Sequence, residues 1–180
     1  DADPWLLEHF PDAYMPMGMT AENVADDYGV TRLEMDTFAS RSHERAAKAQ
    51  NAGEFKRQIV EIAVMDENGQ EKVVKSDEGI RAGTTPEILS TLATPFKENG
   101  SVTAGTSSQM TDGAAFAVMM DAETAKRLNV KPLGRFVAFA VAGVPARVMG
   151  IGPIAAVPKV MTMTGLDIRD MDVIELNEAF

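Results

Sequence analysis

The sequence predicts an α/β protein carrying a separate helical lobe. Apolar runs of strand length stand at Gly113–Met120, Leu133–Gly143 and Met171–Leu176, and such continuous runs read as strands buried on both faces. Helix signals separate them, and strand–helix alternation is the pattern of an α/β sheet. A third observation marks the lobe: residues 20–100 are polar, helical in pattern and hold one hairpin signal. At 180 residues there is room for one domain or two small ones, and for a hydrophobic core without disulfide or metal staples.

The elements follow in order. The first 19 residues have prolines at 4, 11 and 16 and read as irregular. Thr20 precedes a short helix, Ala21–Asp27. Thr31-x-x-Glu34 is a capping box. It opens the strongest helix, roughly Arg32 to Ala52, which Gly53 stops. Leu33, Phe38, Ala46 and Ala49 lie near one face of it, while Arg41, His43, Glu44, Arg45 and Lys48 mostly occupy the other. Ile59–Met65 and Lys72–Lys75 flank Glu67-Asn68-Gly69, and Asn-Gly between β-prone runs predicts a hairpin. Thr85-Pro86-Glu87 supplies an N-cap, a first-turn proline and an acid, so Pro86–Leu92 reads as helix. Asp121 caps a short helix that ends before Asn129. Pro145 to Pro153 is a Gly- and Pro-rich loop. Ala155 to about Thr164 reads as a helix with Pro158 in its first turn, ended by Gly165. A buried strand ending at Leu176 calls for a covering helix, so the chain is expected to be a piece of something longer.

Composition excludes several functions. Seventeen basic against 27 acidic residues give a net charge of −10, the wrong sign for wrapping nucleic acid or lying on an anionic membrane. There are no cysteines, hence no disulfide framework, thiolate zinc site or thiol nucleophile in these residues. The two histidines, His9 and His43, leave little material for a metal site or a Ser-His-Asp triad, and no metal site is expected. Both read as surface residues. No apolar run approaches the ~20 residues that span a bilayer, and Asp1 to Pro4 is nothing like a basic signal-peptide n-region. The expectation is a soluble, cytoplasmic protein, with an organelle as the alternative. The twelve methionines, Met119–Met120 and Met161/Met163 among them, read as core filler.

Three stretches have the makings of a site. Gly150-Ile-Gly152-Pro-Ile-Ala155 matches a dinucleotide pattern in letters, but no strand feeds it and Pro153 removes an N–H that a phosphate would want. A tight turn entering a helix is the better reading. The small-residue, hydroxyl-rich loop Ser101–Ser108 lets a ligand approach backbone and hydroxyls; its plain reading is a solvated loop with Ser and Thr turns. Asn177-Glu178 stands at the carboxyl end of an apolar strand, where open α/β sheets bind ligands. Asn177 there is either a donor to a developing oxyanion, directly or through water, or the N-cap of a following helix; the two are compatible. Asp26-Asp27 reads as a solvated face, and Arg81 either pairs locally with Asp77-Glu78 or meets a phosphate.

From about Tyr14 to Phe180 the letters resemble the thiolases, the acyl-CoA acetyltransferases. The resemblance rests on Pro16-Met-Gly-Met-Thr-Ala-Glu-Asn-Val-Ala25, Asp77-Glu-Gly-Ile-Arg81, Val102-Thr-Ala-Gly-Thr-Ser-Ser-Gln109 and Asp112-Gly-Ala-Ala115. It continues in the family's order through Gly143-Val-Pro145, Met149-Gly-Ile-Gly-Pro153 and Glu175-Leu-Asn-Glu-Ala-Phe180. Asp77–Arg81 and Ser107-Ser108-Gln109 look more like degradative 3-ketoacyl-CoA thiolases than biosynthetic enzymes. The resemblance implies a thiolase-like fold fragment: a lead-in over 1–13, a coenzyme A-holding loop domain over 14–110, the end of the N-terminal α/β half over 111–131, and the start of the C-terminal half over 132–180.

By position, Asn177 matches the asparagine that fixes an oxyanion-hole water in the family, with Ala179 and Phe180 beside it at the active-site wall. Ser108 matches a serine that hydrogen-bonds the pantetheine arm, with Ala104 and Met110 lining the same channel. Arg81 matches a basic residue near the nucleotide end of coenzyme A, and Phe96 an aromatic that helps enclose it. Met17 matches a methionine of the acyl pocket; Pro16 stands where some members have histidine. The family's nucleophilic cysteine, Gly-His-Pro histidine and second cysteine are all missing here, so the 180 residues alone are expected to be inactive. The resemblance thus implies thiolysis of 3-ketoacyl-CoA by the full-length protein, coenzyme A as co-substrate, no permanently bound cofactor, and a homodimer or homotetramer. A biosynthetic acetyl-CoA C-acetyltransferase and a non-catalytic coenzyme A-binding module are the alternatives.

Overall fold

A computed structural model describes residues 2–180. Two units are distinguished within it: Ala21–Gln109 with Glu178–Phe180, and the residues up to Thr20 with Met110–Asn177.

The first unit is organised by helix α3, Arg32–Ala52. Its predicted capping box is present: the Thr31 hydroxyl accepts the Glu34 N–H at 3.3 Å, and Glu34 accepts the Thr31 N–H at 2.8 Å. Gly53, at φ 78°, takes the left-handed turn that ends the helix. The buried face differs from the expected one. Leu33 is 68% exposed and Phe38 49%, while Asp36 and Ala39 are buried. The reason is what α3 packs against. Residues 77–92 are largely irregular, and their carbonyls need donors. Arg32 Nη2 donates to the Leu89 and Leu92 carbonyls at 2.6 and 3.2 Å, Ser40 to Thr84 at 2.9 Å, and Gln50 to Asp77 at 3.4 Å. A polar stripe therefore serves this contact better than an apolar one.

Helix α2, Met17–Tyr28, starts before the predicted Ala21, because the Pro16 carbonyl already accepts the Met19 and Thr20 N–H groups. The hairpin is as predicted: β1, Ile62–Met65, pairs antiparallel with β2, Glu71–Val74, with Ile62 opposite Val74. Asp66 accepts the Asn68 and Gln70 N–H groups at 2.9 and 2.8 Å, and Gly69 supplies φ 74°. Helix α4, Pro86–Ser90, is capped by Thr85. Its Leu89, with Val102, Ala25 and Ala39, forms the small apolar core.

In the second unit the N-terminal residues are not irregular. Helix α1, Pro4–His9, is capped by Asp3, and a 3-10 turn covers Pro11–Tyr14. Both prolines sit at first positions, where the missing N–H costs nothing, so they start helical turns. Helix α5, Ala122–Arg127, is capped by Asp121 as predicted, and Asn129 follows at φ 55°. Helix α6, Gly152–Thr164, begins before the predicted Ala155, because Pro153 suits its first turn; Pro158 therefore lies inside it. Gly165, at φ 69°, ends it. The 3-10 turn Ala146–Ile151 feeds α6, in keeping with the plain reading of Gly150–Ala155.

The three predicted strands are corrected. Gly113–Met120, Leu133–Gly143 and Met171–Leu176 contain no ladder, and the described residues hold only the β1–β2 sheet. Phe116 is 97% exposed and Leu133 fully exposed. A strand exists by pairing, and no described segment pairs with these. Their apolar composition records what such a segment can bury, not a neighbour present here.

Candidate functional site

The loop Ser101–Ser108 is not the solvated loop of the plain reading. Val102 and Thr103 are fully buried. The buried carboxylate of Glu22, on α2, accepts the Ser101 N–H on both oxygens and the Val102 N–H on Oε1, each at 2.8 Å. Thr103 then caps the 3-10 turn Ala104–Thr106: its hydroxyl accepts the Gly105 N–H at 3.2 Å, and its own N–H reaches the Thr106 hydroxyl at 3.0 Å. Ser107 Oγ donates to the Thr103 carbonyl at 2.7 Å. A Cβ on Gly105 would collide with Leu89 Cδ2 and stand 2.9 Å from Leu92 Cδ1, so the turn lies directly on α4.

The far end of the loop meets the chain terminus. The Ser108 N–H donates to the Ala179 carbonyl at 2.9 Å. Phe180 meets Phe96 edge to face, with ring centroids 5.8 Å apart at 84°, a favourable arrangement for the ring quadrupoles. Ala104 and Ser108 remain exposed, and Ala179 and Phe96 are half-buried. The Ser108 hydroxyl reaches only its neighbour's carbonyl, at 3.3 Å. These positions combine an exposed hydroxyl held by one long bond, small side chains and two aromatic rings. That surface can receive an extended amide-bearing chain: small residues allow close approach, and the hydroxyl bonds an amide.

Arg81 does not pair locally. Glu78 faces Lys72 at 3.7 Å instead, and among the described residues no ion pair involves Arg81. Its exposed guanidinium is therefore available to an anion. Its backbone is fixed: the N–H donates to His43 Nδ1 at 3.2 Å, and the carbonyl accepts the Thr84 hydroxyl at 2.7 Å. His43 is thus half-buried and structural, whereas His9 is exposed and stacks on Trp5. Asp26 pairs with Lys97 at 2.5 Å, and this contact raises the Lys97 pKa. The segment around Gly79 lies against Gln109, whose Nε2 would be 2.6 Å from a Cβ there.

Of the sequence-predicted residues, Arg81, Phe96, Ala104, Ser108, Ala179 and Phe180 fall in one unit. Ser108 meets Ala179 there, and Phe96 meets Phe180. Met17, Met110 and Asn177 belong to the other unit, each exposed. An open groove of about 740 Å³ between α3 and residues 82–87 is lined by none of them. Sequence reading missed Glu22, Arg32 and Asp36. The i,i+4 spacing of Arg32 and Asp36 signals an ion pair, found at 2.8 Å with Asp36 fully buried. Glu22 gave no comparable signal. Among the described residues no helix is long and apolar enough to cross a membrane, and no group of three or more His, Asp or Glu side chains is placed to hold a metal.

Known proteins resemble this chain in sequence and in fold. The thiolase N-terminal domain model matches residues 6–123, and the thiolase C-terminal domain model matches 130–180. A 3-ketoacyl-CoA thiolase of Bacillus subtilis is 50% identical over 97% of this chain and 47% of its own length. The peroxisomal 3-ketoacyl-CoA thiolase B of Rattus norvegicus is 44% identical over 94% of this chain and 41% of its own. The crystal structure of the Bacillus anthracis acetyl-CoA acetyltransferase superimposes with a TM-score of 0.84 at 43% identity, covering 92% of this chain and 42% of that one. The dimeric peroxisomal thiolase of Saccharomyces cerevisiae gives 0.85 at 37% identity, covering 100% of this chain and 45% of that one. The chain spans about half the length of the relatives it matches. It has the mixed helix-and-sheet thiolase fold over that span, and it belongs to the thiolase family.

Proposed function

We propose that this chain is the central part of a thiolase that cleaves 3-ketoacyl-CoA to acetyl-CoA and a shortened acyl-CoA, as in fatty-acid β-oxidation. Residues 14–110 are its coenzyme A-binding loop domain, 111–131 the end of the N-terminal half, and 132–180 the start of the C-terminal half. The observation that carries the reading is the Ser108 N–H to Ala179 carbonyl bond, which joins the loop expected to bond the pantetheine arm to a residue expected at the active-site wall. Ser108 bonds that arm; Ala104 and Met110 line its channel. Arg81 and Phe96 hold the nucleotide end, so local positive charge acts against a net charge of −10. Met17 lines the acyl pocket, Asn177 orients a water that stabilises the oxyanion, and Ala179 and Phe180 form the active-site wall beside it.

Chemistry then proceeds by covalent catalysis. A thiolate attacks the 3-keto carbon, the C2–C3 bond breaks, and acetyl-CoA leaves as a carbanion that takes a proton. The coenzyme A thiol next takes the acyl group from the enzyme. The chain contains no cysteine and no Gly-His-Pro motif, so both thiols and the histidine base are supplied by the rest of the protein, and these 180 residues alone are inactive. The whole enzyme is a homodimer or homotetramer of the cytoplasm; the dimeric yeast relative supports the former assembly.

Likeness to the Bacillus anthracis acetyl-CoA acetyltransferase favours a second reading, a biosynthetic acetyl-CoA C-acetyltransferase. The test is thiolysis by the full-length protein across 3-ketoacyl-CoA chain lengths. A preference for chains longer than acetoacetyl-CoA supports the first reading. Activity confined to acetoacetyl-CoA supports the second, and coenzyme A binding without turnover overturns both.

A further inference from the structure

Glu22 has no place in the chemistry above, yet it is among the most buried side chains of the chain, at 1% exposure. Burying a carboxylate is costly unless hydrogen bonds replace its lost water. Here the bonds come from two consecutive backbone N–H groups, Ser101 and Val102, at 2.8 Å. The fit is tight on the other side too, since a Cβ on Gly100 would collide with Glu22 Oε1. The carboxylate therefore fixes where the loop begins. From there the order is handed along: Val102 and Thr103 are buried, Thr103 caps the turn Ala104–Thr106, Ser107 bonds back to Thr103, and Ser108 closes on Ala179.

We propose that Glu22 is a positioning residue for coenzyme A, anchoring the loop Ser101–Ser108 so that Ala104 and Ser108 present a fixed surface to the pantetheine arm. This rests on the assignment of Ser108 to that arm. Glu22 touches no substrate. Its effect is on how much of the arm's binding energy is realised, in ground state and transition state alike. Losing such uniform binding raises KM and leaves kcat unchanged.

The test uses the full-length protein, with Glu22→Gln, Glu22→Asp and Gly100→Ala. The Gln variant keeps the shape but sets an amide NH2 against the loop N–H groups. It is expected to raise KM for coenzyme A about tenfold at unchanged kcat, the scale of one charge-assisted bond. With saturating 3-ketoacyl-CoA as donor, acyl transfer to 2-mercaptoethanol, which lacks the arm, stays at the wild-type rate. Glu22→Asp, which keeps the charge, recovers part of the KM loss. Gly100→Ala presses on Glu22, and on the Lys97 carbonyl at 2.9 Å, without removing the carboxylate; it produces the same split, which covers a Gln variant that fails to fold. A folded Gln or Gly100→Ala variant with wild-type KM overturns the proposal. So does an equal loss with both thiols, which marks a purely structural role. A wild-type enzyme indifferent to Ser108→Ala overturns the pantetheine assignment itself, and the proposal with it.

Discussion

The ion pair between Arg32 and Asp36 offers a test of how the unit built on α3 holds together. Asp36 is 1% exposed, and one of its oxygens, Oδ1, has no protein partner. The other accepts Arg32 Nε at 2.8 Å. Arg32 also closes the end of α4 through the Leu89 and Leu92 carbonyls. Arg32→Met strips a buried carboxylate of its counter-charge and leaves two carbonyls without their donor. Breaking a buried pair from one side costs about 3–5 kcal/mol; since the Arg32 side chain is 25% exposed, water recovers part, and about 3 kcal/mol is expected. Asp36→Leu alone leaves the guanidinium with its two carbonyls and costs less, about 1–2 kcal/mol. The double variant removes the charges together, so the losses do not add: the coupling is about 2 kcal/mol. A double-mutant cycle on the full-length protein, by denaturant midpoint, reads this directly. Additivity within about 0.5 kcal/mol refutes the reasoning, because it means that solvent already screens the pair.

Further outcomes follow from the same geometry. Gly105→Ala puts a methyl against Leu89 and Leu92; overpacking of about 1–3 kcal/mol is expected, seen as a lower denaturation midpoint together with weaker coenzyme A binding. Ser108→Ala removes one hydroxyl from the arm and raises KM for coenzyme A several-fold, about tenfold at most, in steady-state kinetics. Arg81→Ala weakens coenzyme A binding but not binding of pantetheine, and makes the former less sensitive to salt in a titration. Hydrogen bonds from the Thr31 N–H and hydroxyl hold the Glu34 carboxyl below its ordinary 4.5. The folded state therefore binds that proton less readily than the unfolded one, so the contribution is complete above pH 4.5 and is lost as pH falls through the lower folded value. Protection factors of the amides in the first turn of α3, corrected for the intrinsic exchange rate, fall in acid, and Glu34→Gln abolishes that pH dependence.

The parts of this fold legible in the sequence are those whose cause is local. The Thr31–Glu34 box, Gly53, the Asn68-Gly69 turn, and the Thr85 and Asp121 caps each place their donors and acceptors within a few residues, and each is found where the letters put it. The misreadings are non-local. The buried face of α3 is set by the carbonyls of residues 77–92, so Leu33 and Phe38 point away from it. The segments 113–120, 133–143 and 171–176 have strand composition and no strand beside them among the described residues. Of the candidate site, Phe96, Ser108, Ala179 and Phe180 came from the resemblance and meet as Ser108–Ala179 and Phe96–Phe180 pairs. Glu22 escaped notice because its partners are backbone N–H groups some eighty residues away, which no spacing rule reports.

On the function proposed above, this chain supplies the coenzyme A-handling part of a thiolase. The most direct test is coenzyme A-dependent cleavage of a medium-chain 3-ketoacyl-CoA by the full-length protein, with products resolved by mass spectrometry. Equimolar acetyl-CoA and an acyl-CoA two carbons shorter are expected, formed only when free coenzyme A is present and with KM for coenzyme A raised by Ser108→Ala. Cleavage independent of coenzyme A, or intact substrate after prolonged incubation with correctly folded enzyme, contradicts that function.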